Sequence, residues 1–229
     1  LIMIIGELIG TYLMLGLGLV SSVFINYNLY PKPQSRFLTG AYWGLSIFIA
    51  SMFSTLFFGT ANFNPIFSFA QAVNHQISWL TMLGEFVTQI FGAWLASATV
   101  QKMWSKYLNT MPVNLNFFAT VPRQLHKWFY NFSWEAIGTF TIVINAQIMD
   151  DIQITWWVKT IWSSILITAV ITTVSPITGA ALNPTRDFIP RLFFTKTYDK
   201  KMAQWEYSLI PIAGPIVGGI LGLIVANLI

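Results

Sequence analysis

The sequence contains no cysteine, which excludes disulfides, thiolate metal sites and a cysteine nucleophile. Charge is scarce as well: 9% of the 229 residues are Asp, Glu, Lys or Arg, against about 25% in an ordinary soluble domain. A soluble domain with a charged surface is thereby excluded. A nucleic-acid partner has no footprint, because the Lys and Arg behind the net charge of +4 are scattered through short connections. There is no His-Glu-x-x-His pattern, and the adjacent carboxylates Asp150 and Asp151 close an apolar span as a short acidic turn, so enzymatic chemistry lacks its groups. No cofactor or metal site is expected.

What is present is apolar length. Hydrophobic residues make up 55% of the chain and mean hydropathy is +0.62, enough for roughly six spans of about 20 residues each. They are expected at Met3–Ile25, Phe37–Phe58, Ser78–Val100, Phe132–Met149, Trp156–Val174 and Trp205–Ile229. The first has no basic region before it and no small-residue cleavage site after it, so it is expected to be retained. Asn26 to Arg36, punctuated by Pro31 and Pro33, reads as a polar loop. The long connection Gln101–Asn131 is rich in aromatics and is expected to lie over the membrane face.

One stretch breaks the pattern: Ser175 to Leu192 places Asn183, Pro184 and Arg186 inside a membrane protein, where an irregular, charged segment must line a cavity or be buried in protein. A weaker echo, GTANFNPIF, spans Gly59 to Phe67 with Asn64 and Pro65. A proline at the first helical position behind a capping Asn starts a helix, so two half-length helices are expected from these points. GELIGTY at Gly6–Tyr12 and WEAIGTF at Trp134–Phe140 share a pattern, and each opens a half containing one Asn-Pro. The chain is thus read as a duplication in a single channel domain: repeat 1 over about residues 1–101, a connection over about 102–131 and repeat 2 over about 132–229. Three spans per half is an odd number, so the second copy enters from the opposite face.

On these residues the chain resembles the aquaporin or major intrinsic protein family, on its glycerol-facilitator branch. TGAALNPTRDFIPR matches the family pattern nearly residue for residue; ANFNPIF departs from it, with Ile66 where the family usually has Ala. The resemblance implies an all-α membrane protein with six spans and two half helices. These meet at mid-membrane around a narrow pore for small uncharged solutes. It also implies a homotetramer with one pore per subunit, expected in a bacterial inner membrane. Two helix N-termini at the centre, each carrying roughly half a positive charge, repel cations. The Asn64 and Asn183 amides can donate to a solute there, although both would also cap their helices.

The family places Arg186 at the narrowest constriction; a salt bridge to Asp187 is the bland alternative. By spacing, further constriction positions fall on Ile171 and Ala180. The span-two position falls on Gly44 by an ungapped count and on Trp43 when YWGLSI is aligned. The expected ring is Trp43, Ile171, Ala180 and Arg186. Ile171 removes the His of strict water pores, Trp43 offers an apolar face to a carbon backbone, and Arg186 offers donors to hydroxyls, as a polyol requires. Ala180 replaces the aromatic of many glycerol facilitators and should widen the opening. Asp187, Arg191 and the Pro211-Ile212 pair are further likenesses to the glycerol branch. In the family pattern Glu7 and Glu135 hold the dipping loops, with Gln89 assisting.

The expected permeants are glycerol and similar neutral solutes, with some water. Other neutral species, such as lactic acid, urea, ammonia or peroxide, form a close alternative. A secondary active transporter would need a carboxylate in the solute path, and Glu7 and Glu135 are the deep candidates. Orientation is contested between two rules: Lys32, Arg36, Lys102, Lys106, Arg123, Lys127, Lys196, Lys200 and Lys201 lie in connections that the family places outside, whereas the positive-inside rule would turn them inward.

Overall fold

A computed structural model describes the backbone of residues 1–26, 32–108 and 114–228, with side chains there except at 26, 32–36 and 107. Of the expected polar loop Asn26–Arg36, residues 27–31, Pro31 among them, lie outside the described residues; Asn26 ends the first helix, and 32–36 are no loop but open the second, where Pro33 is tolerated in the first turn. Among the described residues eight α-helices follow one another: α1 Ile2–Asn26, α2 Lys32–Phe58, α3 Pro65–Val73, α4 Trp79–Leu108, α5 Trp128–Asp151, α6 Trp156–Thr178, α7 Pro184–Thr197 and α8 Ile210–Ala226. No strand occurs among the described residues. Helices α1, α2 and α6 are long and apolar enough to cross a membrane on those grounds alone, and α8 is a shorter apolar helix.

The two short helices start where a polar side chain replaces the missing turn. Asn64 Oδ1 accepts from the Ile66 amide at 3.1 Å, and Asn183 Oδ1 accepts from the Thr185 and Arg186 amides at 3.0 and 3.2 Å. Proline follows each cap, at a position whose N–H has no intrahelical acceptor. Helix α6 outlasts its expected end at Val174: Pro176 sits in the last turn, and the helix stops only at Gly179, whose φ of 89° is left-handed.

Three other expectations are corrected. Helix α4 runs past Val100 to Leu108. Asp150 and Asp151 form no separate turn; they are the last residues of α5. Residues 205–209 form turns before α8 instead of opening it, because Trp205 Nε1 donates to Thr195 Oγ1 at 2.9 Å and Tyr207 OH to the Thr178 carbonyl at 3.0 Å, pinning them over α6 and α7.

Packing follows the repeat. Helix α1 packs on α2 and α4, α5 packs on α6 and α8, and α2 meets α6 across the middle. The short helices cross over: α7 contacts α4 of the first half, and α3 contacts α8 of the second. That crossing explains the irregular first motif. A Cβ at Gly219 of α8 would stand 2.2 Å from Ile66 Cγ2, so the bulky Ile66 fits only because its neighbour has no side chain. Gly219→Ala should cost about 1–3 kcal/mol by overpacking, and adding Ile66→Ala should restore most of it. Thermal unfolding of the detergent-solubilised variants measures both, and a double variant no better than the single would show that this contact is not the cause.

Candidate functional site

The loops before α3 and α7 dip into the protein with strained backbones. Phe63 and Leu182, each directly before the capping Asn, have φ of 50° and 53°, and Ala180 has 53°. Non-glycine residues are held there only when their surroundings impose it. The surroundings are two buried carboxylates. Glu7 accepts from the Asn62 and Phe63 amides at 2.7 and 2.6 Å, from Thr60 Oγ1 at 2.8 Å and from Gln89 Nε2 at 2.8 Å. Glu135 accepts from the Ala181 and Leu182 amides at 3.0 and 2.8 Å. Both are fully buried, and both are occupied by the loops they hold.

The capping asparagines do more than cap. Asn64 Nδ2 donates to the Leu182 carbonyl at 2.9 Å, and Asn183 Nδ2 donates to the Phe63 carbonyl at 2.7 Å. Each box is thus fastened to the loop of the other half. An amide nitrogen carries two hydrogens, so one on each remains for the cavity that both residues line.

That cavity, of about 260 Å³, reaches from Asp150 and Lys159 past the asparagines to Ile171, Ala180, Trp43 and Arg186. Beyond them lies a second hollow of about 250 Å³, lined by Ser22, Thr39, Asn116 and Thr120. Among the described residues, Trp43 and Arg186 are common to both. The Arg186 guanidinium carbon lies 4.2 Å from the centre of the Trp43 ring, and its Nη1 donates to the Phe118 carbonyl at 3.2 Å. A guanidinium at such depth costs at least ~2.5 kcal/mol; the carbonyl, the ring face and the open cavity offset it. Gly44 faces elsewhere: a Cβ there would meet Thr168 Oγ1 at 1.8 Å, so it is a contact between α2 and α6.

Asp187 does not neutralise Arg186 by an ion pair. Its carboxylate is bridged by Arg191 at 2.9 Å and accepts from the Thr120 amide at 2.8 Å. Arg191 then spends its remaining donors on the carbonyls of Thr120, Ala203 and Gln204, at 2.8, 2.6 and 3.3 Å. The pair therefore staples the long connection and the segment after α7 around the second hollow. Pro211 is buried and Ile212 half-buried at the start of α8, and neither is among the residues lining the cavities.

Residues 115–120 of the long connection pack into the protein instead of lying over the membrane face. Its Phe117 and Phe118 are each 1% exposed, and Phe118 packs on Phe193, Phe194 and Tyr198, with ring centres 5.7, 6.1 and 5.9 Å apart. Aromatic side chains that seemed suited to lipid find cover on α7. The Phe118 carbonyl and Thr120 were absent from the sequence expectation; the apolar run LNFFATV was the available signal. Also missed were Asp150 and Lys159 at the far mouth, and Gln147, whose Oε1 accepts from Asn74 Nδ2 between α5 and the end of α3.

Among the described residues, six long helices around two opposed, cross-fastened half helices, with a cavity running to Arg186 and Trp43, define a membrane channel built from an inverted repeat. The chain belongs to the major intrinsic protein family, whose sequence pattern matches residues 1–226. It is 30% identical over 236 residues to "Glycerol uptake facilitator protein 3" of Lactiplantibacillus plantarum, covering 99% of this chain and 96% of that one. It is 28% identical over 236 residues to the glycerol uptake facilitator protein of Bacillus subtilis, covering 97% and 82%. Its fold matches the X-ray structure of the aquaglyceroporin from Plasmodium falciparum with a TM-score of 0.81 at 20% identity, over 100% of this chain and 99% of that one. The protein is an integral membrane channel and not an enzyme.

Proposed function

We propose that the channel passes glycerol and similar small neutral polyols, with water as a lesser permeant, as a homotetramer in a bacterial inner membrane. The selectivity ring in this reading is Trp43, Ile171, Ala180 and Arg186, and the free amide hydrogens of Asn64 and Asn183 orient the solute at mid-membrane. The stacking of Arg186 on Trp43, at 4.2 Å, carries the reading. Guanidinium donors and an indole face side by side suit a molecule with hydroxyls along one edge and carbon along the other. The names of the relatives from L. plantarum and B. subtilis point the same way.

Glu7 and Glu135 support a passive pore over a coupled carrier, since their oxygens are committed to the dipping loops. The small side chain of Ala180 at the ring favours a broader second range that includes urea, lactic acid, ammonia and peroxide. The two repeats divide about the connection between α4 and α5. Protein in vesicles should raise glycerol permeability well above that of empty vesicles, with no proton current and no accumulation against a gradient. Permeability equal to empty vesicles removes the polyol reading, and urea or lactic acid outpacing glycerol selects the second.

A further inference from the structure

Helix α4 buries a further carboxylate in its second turn. Glu85 is fully buried and, unlike Glu7 and Glu135, accepts from no backbone amide of a dipping loop among the described residues. Its Oε1 has no partner, and its one hydrogen bond among the described residues comes from Asn62 Nδ2 to Oε2, at 2.9 Å. An ionisable group inside a membrane helix is costly to keep. Whatever Glu85 does there, it does through Asn62.

Asn62 belongs to the first dipping loop, and its backbone amide is held by Glu7. Both hydrogens of its side-chain nitrogen are taken, one by Glu85 Oε2 and the other by Gln71 Oε1 of α3 at 2.8 Å. Both partners are acceptors, so the nitrogen must point at them and the side-chain oxygen must point away. Asn62 Oδ1 makes no hydrogen bond among the described residues and is not sealed off, and Asn62 lines the pore cavity. Gln71, its oxygen engaged, is left with an unengaged Nε2 and lines the same cavity. An acceptor and a donor therefore stand side by side on the pore wall.

That pairing supplies what the centre of the pore lacks. A hydroxyl brings one hydrogen to donate as well as an oxygen that accepts. The side chains of Asn64, Asn183 and Arg186 offer donors, while the nearby carbonyls of Phe63 and Leu182 already accept from Asn183 and Asn64. Asn62 and Gln71 lie on the Asp150 side of that centre, since α3 leads from Asn64 to Asn74 and Gln76, which donate to Gln147 and Asp150.

We propose that Asn62 Oδ1 and Gln71 Nε2 form a subsite for a solute hydroxyl on the Asp150 side of the two asparagines. Glu85, which touches no solute, is the positioning residue that keeps the Asn62 oxygen turned to the pore. The inference rests on the polyol reading above.

Stopped-flow light scattering of vesicles carrying the full chain gives glycerol and water permeability on one sample, and their ratio does not depend on how many pores have folded. Glu85→Leu should lower the glycerol-to-water ratio about threefold to tenfold, the worth of one hydrogen bond. Asn62→Leu, which keeps the bulk and removes the acceptor, should lower it as far. The double variant should lose no more than either single, because both act through one bond. Glu85→Gln still offers Asn62 an acceptor and should keep the ratio within about twofold of the parent's. The proposal is overturned if Glu85→Leu keeps the parental ratio, if Glu85→Gln loses as much as Glu85→Leu, or if the two single losses multiply in the double variant. The double variant removes the carboxylate and its donor together and orphans neither, so a parental ratio in it overturns the proposal even where a single variant does not fold. A parent that passes water and no glycerol removes the polyol reading and the subsite with it. Glycerol passage with unmoved ratios removes the subsite alone.

Discussion

Arg186→Val should convert a cation-tight channel into one that leaks protons and small cations while neutral solutes still pass. A unit positive charge opposes a cation about 4 Å away by about 4 kcal/mol at an effective dielectric constant of 20, or up to about a thousandfold in rate. Valine removes that barrier at the residues where the two cavities meet. It also leaves the Trp43 face, now covered by the guanidinium at 4.2 Å, bare and attractive to cations. The half helices contribute only about half a charge each, and they remain. A pH-sensitive dye trapped in vesicles reports the proton leak, and light scattering of the same vesicles reports glycerol entry. If the variant stays proton-tight, the barrier resides at the half-helix ends and the ring is merely a sieve.

The second large effect is structural. Glu135→Leu should abolish the folded channel, because it strips the acceptors from the Ala181 and Leu182 amides in a fully buried site. Each orphaned amide costs about 1–3 kcal/mol, and the left-handed backbone at Ala180 and Leu182 loses the group that imposed it. The sum, about 3–6 kcal/mol or more, is a large part of a typical 5–15 kcal/mol stability. Glu135→Gln retains one acceptor and should fall between. Midpoints of thermal unfolding, with monodispersity on size exclusion, rank the three proteins. A Leu variant that unfolds at the parent's temperature and conducts normally would mean the loop holds its shape without the carboxylate.

The sequence disclosed the parts of the site whose cause is local. Asn64 and Asn183 cap the helices they precede, with proline at the next position, and both half helices begin where the sequence places them. Glu7 and Glu135 were findable because duplication displays the same residue twice. Partners distant along the chain were not: Arg186 meets a carbonyl of Phe118, and Asp187 meets Thr120, through a connection with no periodicity to reveal its path. The same blindness misplaced the stretch 115–120 on the membrane face, since burial against α7 and burial in lipid call for the same aromatics. Between Trp43 and Gly44 the sequence allowed either position, and only side-chain direction separates the ring contact from the helix contact. The end of α4 was missed because no cap or breaker marks it, and that of α6 because Pro176 reads as a stop although the helix runs on to its glycine cap at Gly179.

The reciprocal bonds from Asn64 to Leu182 and from Asn183 to Phe63 carry a lesson for biogenesis. While the ribosome is still translating α5, the first re-entrant segment can be held only by groups of its own half, such as Glu7 and Gln89. Only when Leu182 and Asn183 emerge can the two segments fasten to each other, each as the other's clasp. The clasp at the centre of the channel is therefore the last of these bonds to form.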